Sequence, residues 1–553
     1  MTRRILLAIA IALGIAALPA AAVAAPGWTA PRNFALPANT FIPSLVMAYG
    51  PGGTATIAYD EVLSFSPAVT VLHVGVIPPG GTYHEQLRIP TTSISIPLQA
   101  SIAEAPNGAT AVAWYAQEGT GSSLMAYYAT YRAAGHTAWS VPSVLASNTI
   151  TGNGTNPQLV TAIGPNGTAA VGIDRYDPGI IPINGSDHDT YLAEVIVHGP
   201  SGSWGIPTEI SPPATSSRDL ALGVDGQGNV TAAFRVKLSN GRHTLGVVRR
   251  AASNGIWGSL EDVTGSDITS DLYAPQLAVA ANGSAVIAFQ YDHFAAPNTL
   301  DVTAVTRVGA TGAWTAPGDL AVGGAYSVPG HVGIAPNGRA YVLYSYGGTN
   351  SGLNCEGIAR TQAGSAFPTT PRCLSAANFQ NAGGVGINFL GNDAYFFWYG
   401  EPNAGSQWVV ESSRWLNGAA APEAPTNLDA PSSTEIPHAF LPDQQGGVAA
   451  FWQTVSTQLR VAAFDAGGPS VAAAAIPTRV RAGRAALMSV TFADLWSGVS
   501  GRAQWNFGDH KAATGTRVRH TYRKAGRYTV RITAKDRLGN VRTVTYRILV
   551  TRH

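Results

Sequence analysis

A tight turn followed by a short apolar strand recurs eight times along the chain, and this repeat limits the possible folds more than any other feature. The first copies are Gly52-Gly53 then TATIAYD, Asn107-Gly108 then ATAVAWY, Asn166-Gly167 then TAAVGID, and Gly228-Asn229 then VTAAFRV. The rest are Asn282-Gly283 then SAVIAFQ, Asn337-Gly338 then RAYVLYS, Gly391-Asn392 then DAYFFWY, and Gly446-Gly447 then VAAFWQ. The turn glycines 53, 108, 167, 228, 283, 338, 391 and 447 stand 53 to 61 residues apart. Asn-Gly and Gly-Gly between apolar runs predict hairpins with type I′ turns, whose two central residues both take positive φ.

A second landmark keeps the same period: Trp28-Thr-Ala-Pro31, Trp139-Ser-Val-Pro142, Trp204-Gly-Ile-Pro207 and Trp314-Thr-Ala-Pro317, with looser copies from Tyr83, Trp257, Phe367 and Trp415. Proline inside a strand marks a sheet edge. Each unit therefore holds four strands: A before the turn, B after it, C a further apolar run such as 300–308, and D from the aromatic outward. A unit of about 56 residues is too short for a sandwich of about 100 and too long for a solenoid coil, but it suits a four-stranded propeller blade. Eight A-B-C sets and an opening strand D at Trp28 predict an all-β, eight-bladed β-propeller over residues 26–468. In it the N-terminal strand completes the last blade and removes a free sheet edge. Seven blades with one atypical unit is the alternative.

Residues 1–25 read as an export signal: Arg3 and Arg4, an apolar stretch from Ile5 to Leu18, then small residues from Ala20 to Ala25. The apolar stretch is shorter than the roughly 20 residues of a membrane span, so the expected product is secreted and extracellular. In that setting Cys355 and Cys373, the two cysteines of the chain, are expected to be oxidised. They fall on strands C and D of the sixth unit, neighbours close enough for a disulfide.

Near Gly468 the repeat stops and the charge changes. Between Arg479 and Arg552 there are sixteen Arg and Lys against Asp494, Asp509 and Asp536. The net charge of +2 conceals an acidic propeller and a basic C-terminal region.

The C-terminal region carries Trp505-Asn506-Phe507-Gly508-Asp509-His510, His520-Thr521-Tyr522, Gly526-Arg527-Tyr528-Thr529-Val530 and Asp536-Arg537-Leu538-Gly539-Asn540. On these motifs residues 469–553 resemble a PKD domain, which implies an immunoglobulin-like β-sandwich used in extracellular proteins for spacing or adhesion. Asn506 and His510 stand where the family pattern has Asp and Gly. Trp505, Phe507, Tyr528 and Val530 are expected in the sandwich core, with His520 and Tyr522 locking the Gly508-Asp509 turn. The repeats more loosely resemble the sialidase-type (BNR-like) propellers of exported bacterial proteins. The Ser-x-Asp-x-Gly-x-x-Trp turn of that family is missing, so the resemblance implies a fold and no active site.

No catalytic motif stands out. His84-Glu85-Gln86-Leu87-Arg88 begins like a zinc-protease helix, but ends in Arg and lies in a strand context. The A–B turns are short and uniform, whereas the B–C and D–A loops vary, so ligands are expected at the end that carries them. Asp174, Asp177, Asp187, Asp189, Asp292 and Glu401 fall there as ligand-binding candidates. Of these, Asp187 and Asp189 are a candidate Ca²⁺ site; otherwise no cofactor is expected. Trp114, Tyr115, Trp398 and Trp452 near the B-strand ends suit blade packing, or stacking on sugars where exposed.

The favoured function is a secreted, non-enzymatic binding or adhesion protein. Its variable loops would engage a glycan or protein, and its basic PKD domain an anionic cell-envelope polymer, with Arg517, Arg519, Arg523, Lys524, Arg527 and Arg531 as the basic face. The alternative is an exported glycoside hydrolase or lyase, which needs two carboxyls about 5–10 Å apart; a structural spacer is a third. No nucleic-acid motif accompanies the basic charge.

Overall fold

The computed structural model describes residues 27–552 except 36–44, 51–52, 66–67, 79–82, 92–98, 118–123, 150–157, 177–190, 214, 239–242, 265–271, 293–299, 321–325, 348–353, 371, 376–379, 403–405, 433–435, 444–445 and 456–457. The export signal at 1–25 and Asp177, Asp187 and Asp189 lie outside the described residues. The described residues form ten β-sheets, eight in the repeat region and two beyond it.

Seven of the eight are antiparallel blades in the order A-B-C-D; blade 6 shows strands A to C among the described residues, with an isolated bridge from Gly357 to Cys373 at its outer edge. Blade 3 shows the plan: Leu159–Ile163, Ala169–Tyr176, Tyr191–His198 and Thr208–Glu209 lie side by side in sequence order. Blade 8 takes its strands A to C from Ile436–Pro442, Gly447–Val455 and Gln458–Asp465. Its outer strand comes from the other end of the chain: Trp28 pairs with Phe464, and Arg32–Ala35 pairs with 458–461. Eight blades with an N-terminal closing strand is the observed architecture. Tyr49 and Ile57 of blade 1 and Phe451 and Val461 of blade 8 share one core cluster across the seam.

The turns differ from the expected type. Gly108 has φ of 87° and Gly167 of 89°, but the Asn before each does not take positive φ. Instead the Gly108 N–H donates to the Ala105 carbonyl at 2.8 Å, and the Ala105 N–H to the Ala109 carbonyl at 2.8 Å. This is a three-residue loop closed by a left-handed glycine. Asn serves through its side chain: Asn107, Asn166, Asn282 and Asn337 each accept the N–H two residues on, at 2.9 to 3.1 Å.

The periodic aromatic also finds its reason. Trp204, Trp257 and Trp314 bridge the ends of the C strands at His198, Arg250 and Arg307, and a short strand D follows in each blade. There the indole covers a basic or aromatic group: Arg132 lies 5.0 Å from the Trp139 ring centroid and Arg307 4.7 Å from that of Trp314. Trp415 breaks the pattern, because it ends strand C of blade 7 (Val409–Trp415) rather than starting strand D. Cys355 and Cys373 form a disulfide with Cα atoms 5.6 Å apart, joining strand C of blade 6 to the edge that Cys373 makes beside Gly357.

Beyond the propeller, Ser470–Ala475, Ala485–Ala493 and Arg517–Thr521 form one sheet of a sandwich. Arg479–Arg481, Val541–Thr551, Gly526–Asp536, Val499–Asn506 and Ala512–Thr514 form the other. Trp505, Phe507, Tyr522, Val530 and Ile532 are buried between them. No helix among the described residues is long and apolar enough to cross a membrane.

Candidate functional site

The longest B–C connection, 177–190, leaves strand B of blade 3 at Tyr176 and returns to strand C at Tyr191. At its root blades 3 and 4 bring charged groups together. Counted from the turn glycine, Asp60, Tyr115, Asp174, Arg235, Gln290 and Ser345 take the same register position, which is polar in each of these blades. Strand A of blade 4 (Ser216–Val224) bulges opposite it, and its register shifts between Arg218 and Ala221. The bulge holds Asp219 at a φ of 61°, a region that costs an L-residue other than glycine about 1–2 kcal/mol.

That strained backbone is fastened from several sides. The Asp219 N–H donates to Asp174 Oδ2 at 2.7 Å, and the Asp219 carboxylate meets Arg235 Nε at 3.0 Å. Arg218 lies 4.8 Å from the Tyr191 ring centroid. On the other face of strand B, turned towards blade 2, Arg175 Nε meets Glu194 Oε1 at 2.8 Å. The Arg175 and Arg218 side chains keep 26% and 30% of their area exposed, so they are the groups a ligand can reach. Asp174 is different: it is 2% exposed, and burial pushes its carboxyl up to about 7. It supports the bulge from behind and does not face solvent.

Of the other expected ligand residues, Glu401 is buried where strand B of blade 7 (Asp393–Glu401) ends. Asp292 ends strand B of blade 5 opposite Leu300. Trp114, Tyr115, Trp398 and Trp452 are almost fully buried, so they pack blades and are not platforms for sugars. Arg175, Arg218, Asp219 and Arg235 were not among the candidates. The signal for them was present: Arg218-Asp219 puts two charges in an inner strand, and Arg218 pairs with Arg235 where blades 5 and 6 pair Tyr273 with Gln290 and Val328 with Ser345.

In the sandwich the motif residues form a structural lock. His520 stacks on Phe507 at 3.9 Å between centroids and meets Asp509 Oδ2 at 2.9 Å. The Tyr522 hydroxyl donates to the Phe507 carbonyl at 3.1 Å, and the Trp505 indole to the Gly515 carbonyl at 2.7 Å. The Tyr528 hydroxyl caps the Lys524 carbonyl at 3.0 Å, just before Gly526 starts its strand. His510, the substitution in the motif, takes a φ of 65° and is exposed. The six basic residues Arg517, Arg519, Arg523, Lys524, Arg527 and Arg531 are all exposed.

Residues 468–550 match the PKD domain family. Among curated proteins no relative is found. An ulvan lyase, a polysaccharide lyase, is similar in structure at 11% identity and a TM-score of 0.44, over 65% of this chain and 90% of that one. The β-propeller domain of the Trilobed protease from Pyrococcus furiosus is similar at 7% identity and a TM-score of 0.37, over 71% of this chain and 98% of that one. A Hadza microbial sialidase is similar at 10% identity and a TM-score of 0.35, over 72% of this chain and 74% of that one. The chain is a β-propeller joined to a PKD domain, and its PKD domain and disulfide are features typical of extracellular proteins.

Proposed function

We propose that the protein is a secreted, non-enzymatic binding protein whose propeller engages an anionic glycan at the root of the blade 3 loop. The reading rests on Arg175 and Arg218, two partly exposed guanidinium groups that flank the loop root from its blade 2 and blade 4 sides, held in place by Glu194 and Tyr191. Guanidinium forks match carboxylate and sulfate groups, and fixing them beforehand lowers the entropy lost on binding. The described carboxylates beside them are committed to the fold: Asp174 to the Asp219 N–H, Asp219 to Arg235 and Glu194 to Arg175. The exposed bases of the PKD domain would then hold the protein to an anionic polymer of the cell envelope.

The test is binding of the full chain to charged and neutral glycans, with Arg175→Ala and Arg218→Ala combined. A loss of at least about tenfold for charged glycans is expected from removing two charge-assisted contacts, in a variant whose fold is checked by an unchanged circular dichroism spectrum. Unchanged affinity would end the proposal. A second reading, an exported glycoside hydrolase or lyase, draws on Asp174, since a carboxyl that titrates near 7 suits proton transfer. Its burial argues against substrate contact. New reducing ends or unsaturated products from a glycan panel, lost in Asp174→Asn, would establish it.

A further inference from the structure

The two domains meet where the propeller closes. Strand C of blade 8 (Gln458–Asp465) ends on Asp465, and the sandwich begins within five residues, at Ser470. The loop Asp494-Leu495-Trp496-Ser497-Gly498 of the sandwich reaches back onto the seam between blades 8 and 1. Leu495 and Trp496 join the core cluster of Tyr49, Ile57 and Phe451. The Trp496 indole donates to Asp443 Oδ2 at 2.6 Å, and Arg32 of the closing strand donates to the Leu495 carbonyl at 3.1 Å.

Three carboxylates converge beneath this loop. Asp465, Asp494 and Asp536 each present an oxygen, and these oxygens all lie within 4.8 Å of one another. Asp465 and Asp536 are each 2% exposed. Asp536 is aimed by Asn540, whose backbone and side-chain N–H groups donate to its two oxygens at 2.8 and 2.7 Å. Asn540 also donates to the Asp465 carbonyl at 3.2 Å, tying the two domains' ligand residues together. Asp494 spends Oδ1 on the N–H groups of Trp496, Ser497 and Gly498 and on the Ser497 hydroxyl, at 2.7 to 3.1 Å. Its other oxygen receives none of these bonds.

Asp465 points to a ligand. Its Oδ2 is buried in the cluster without a hydrogen-bond partner. Asp494 and Asp536 are the carboxylates that crowd it. A buried carboxylate oxygen with neither donor nor cation is costly, and its closest charged neighbours repel it.

We propose that Asp465, Asp494 and Asp536 bind a divalent cation, Ca²⁺ by its chemistry, which fastens the PKD domain to the propeller at its closing seam. The donors are all oxygen, which suits a hard cation and not the nitrogen and sulfur sites of zinc. Three carboxylates supply part of the six to eight oxygens that Ca²⁺ takes, with carbonyls and water for the rest. The propeller gives one ligand and the sandwich two, so the cation cannot be held fully by either alone. This site is independent of the glycan reading, and its three aspartates do not include Asp187 or Asp189.

The experiment uses the full chain, stripped with EDTA and returned to metal-free buffer. Adding CaCl₂ is expected to raise the thermal midpoint by several degrees, with calorimetric affinity in the range of about 0.1–1 mM known for extracellular modules, and MgCl₂ to do less. Asp494→Asn with Asp536→Asn should abolish the response, while Asp187→Asn with Asp189→Asn should leave it intact. Tb³⁺ supplies a readout that needs no aspartate variant. Its emission on tryptophan excitation should fall at least fivefold when excess CaCl₂ displaces it, and emission that CaCl₂ does not displace would count against the site. No heat and no midpoint shift with CaCl₂ would overturn the proposal. A response unchanged in Asp494→Asn/Asp536→Asn, or one lost in Asp187→Asn/Asp189→Asn, would also overturn it.

Discussion

The propeller buries charge and the sandwich displays it. Glu356 in blade 6 is fully buried, with Ser345 Oγ donating to one oxygen at 3.1 Å and no partner on the other. Asp60 in blade 1 is likewise fully buried, with no donor on either oxygen. Even bases go inside: Arg307 is 2% exposed beneath Trp314. In the sandwich, by contrast, all sixteen Arg and Lys between 479 and 552 are exposed. A propeller blade is covered on both faces by its neighbours, so a polar residue in strand B or C has nowhere to go but between blades. A sandwich sheet is covered on one face, and alternation along Gly526–Asp536 puts Arg527, Arg531 and Lys535 outward while Val530, Ile532 and Ala534 turn in.

The largest test of this contrast concerns Glu356. Burial pushes its carboxyl up to about 8, well above its ordinary range. An acid whose pKa rises on folding favours the fold while protonated in both states, and the advantage fades as pH climbs through the folded value. Stability should therefore fall between about pH 4.5 and pH 8, by an amount on the order of 3–5 kcal/mol. Glu356→Gln should remove that loss: melting curves at pH 9 should favour the variant, and those at pH 4 should coincide. A variant no more stable than the parent at pH 9 would show that the buried acid is better solvated than its contacts indicate.

The exposed bases should behave oppositely. Reversing Arg527, Arg531 and Arg547, the last exposed on the adjacent strand Val541–Thr551 opposite Thr529, to Glu is expected to change the sandwich's stability by less than about 0.5 kcal/mol per site, because surface positions carry little. The same change should lower binding to an anionic polymer at least about tenfold, and binding of the parent should weaken as salt screens the attraction. Salt-independent binding would separate the charge from the function.

The smallest effect is expected at His510. Its φ of 65° belongs to glycine, which the family pattern has at this place. Relief of that strain, less the added freedom of the unfolded chain, predicts that His510→Gly stabilises by roughly 0.5–1 kcal/mol. A destabilised variant, read by denaturant unfolding, would mean that the imidazole makes a contact worth more than the strain.

The sequence alone favoured eight blades over seven, and pointed to the closing strand, the disulfide between Cys355 and Cys373, and the PKD core around Trp505 and Phe507. Each is written in local spacing: a turn glycine, an alternating strand, a proline at an edge. Turn type escaped it, because Asn-Gly is compatible with two hairpin geometries and the bonds around Ala105 and Gly108 select one. The acids at the strand B ends were legible as positions, but whether Asp174 faces water or the neighbouring blade depends on a bulge in Asp219's strand. Only the tertiary structure decided that Asp465, Asp494 and Asp536 meet. They belong to two domains and share no periodicity, so their approach is set by how the sandwich loop docks on the seam, which no run of residues encodes locally.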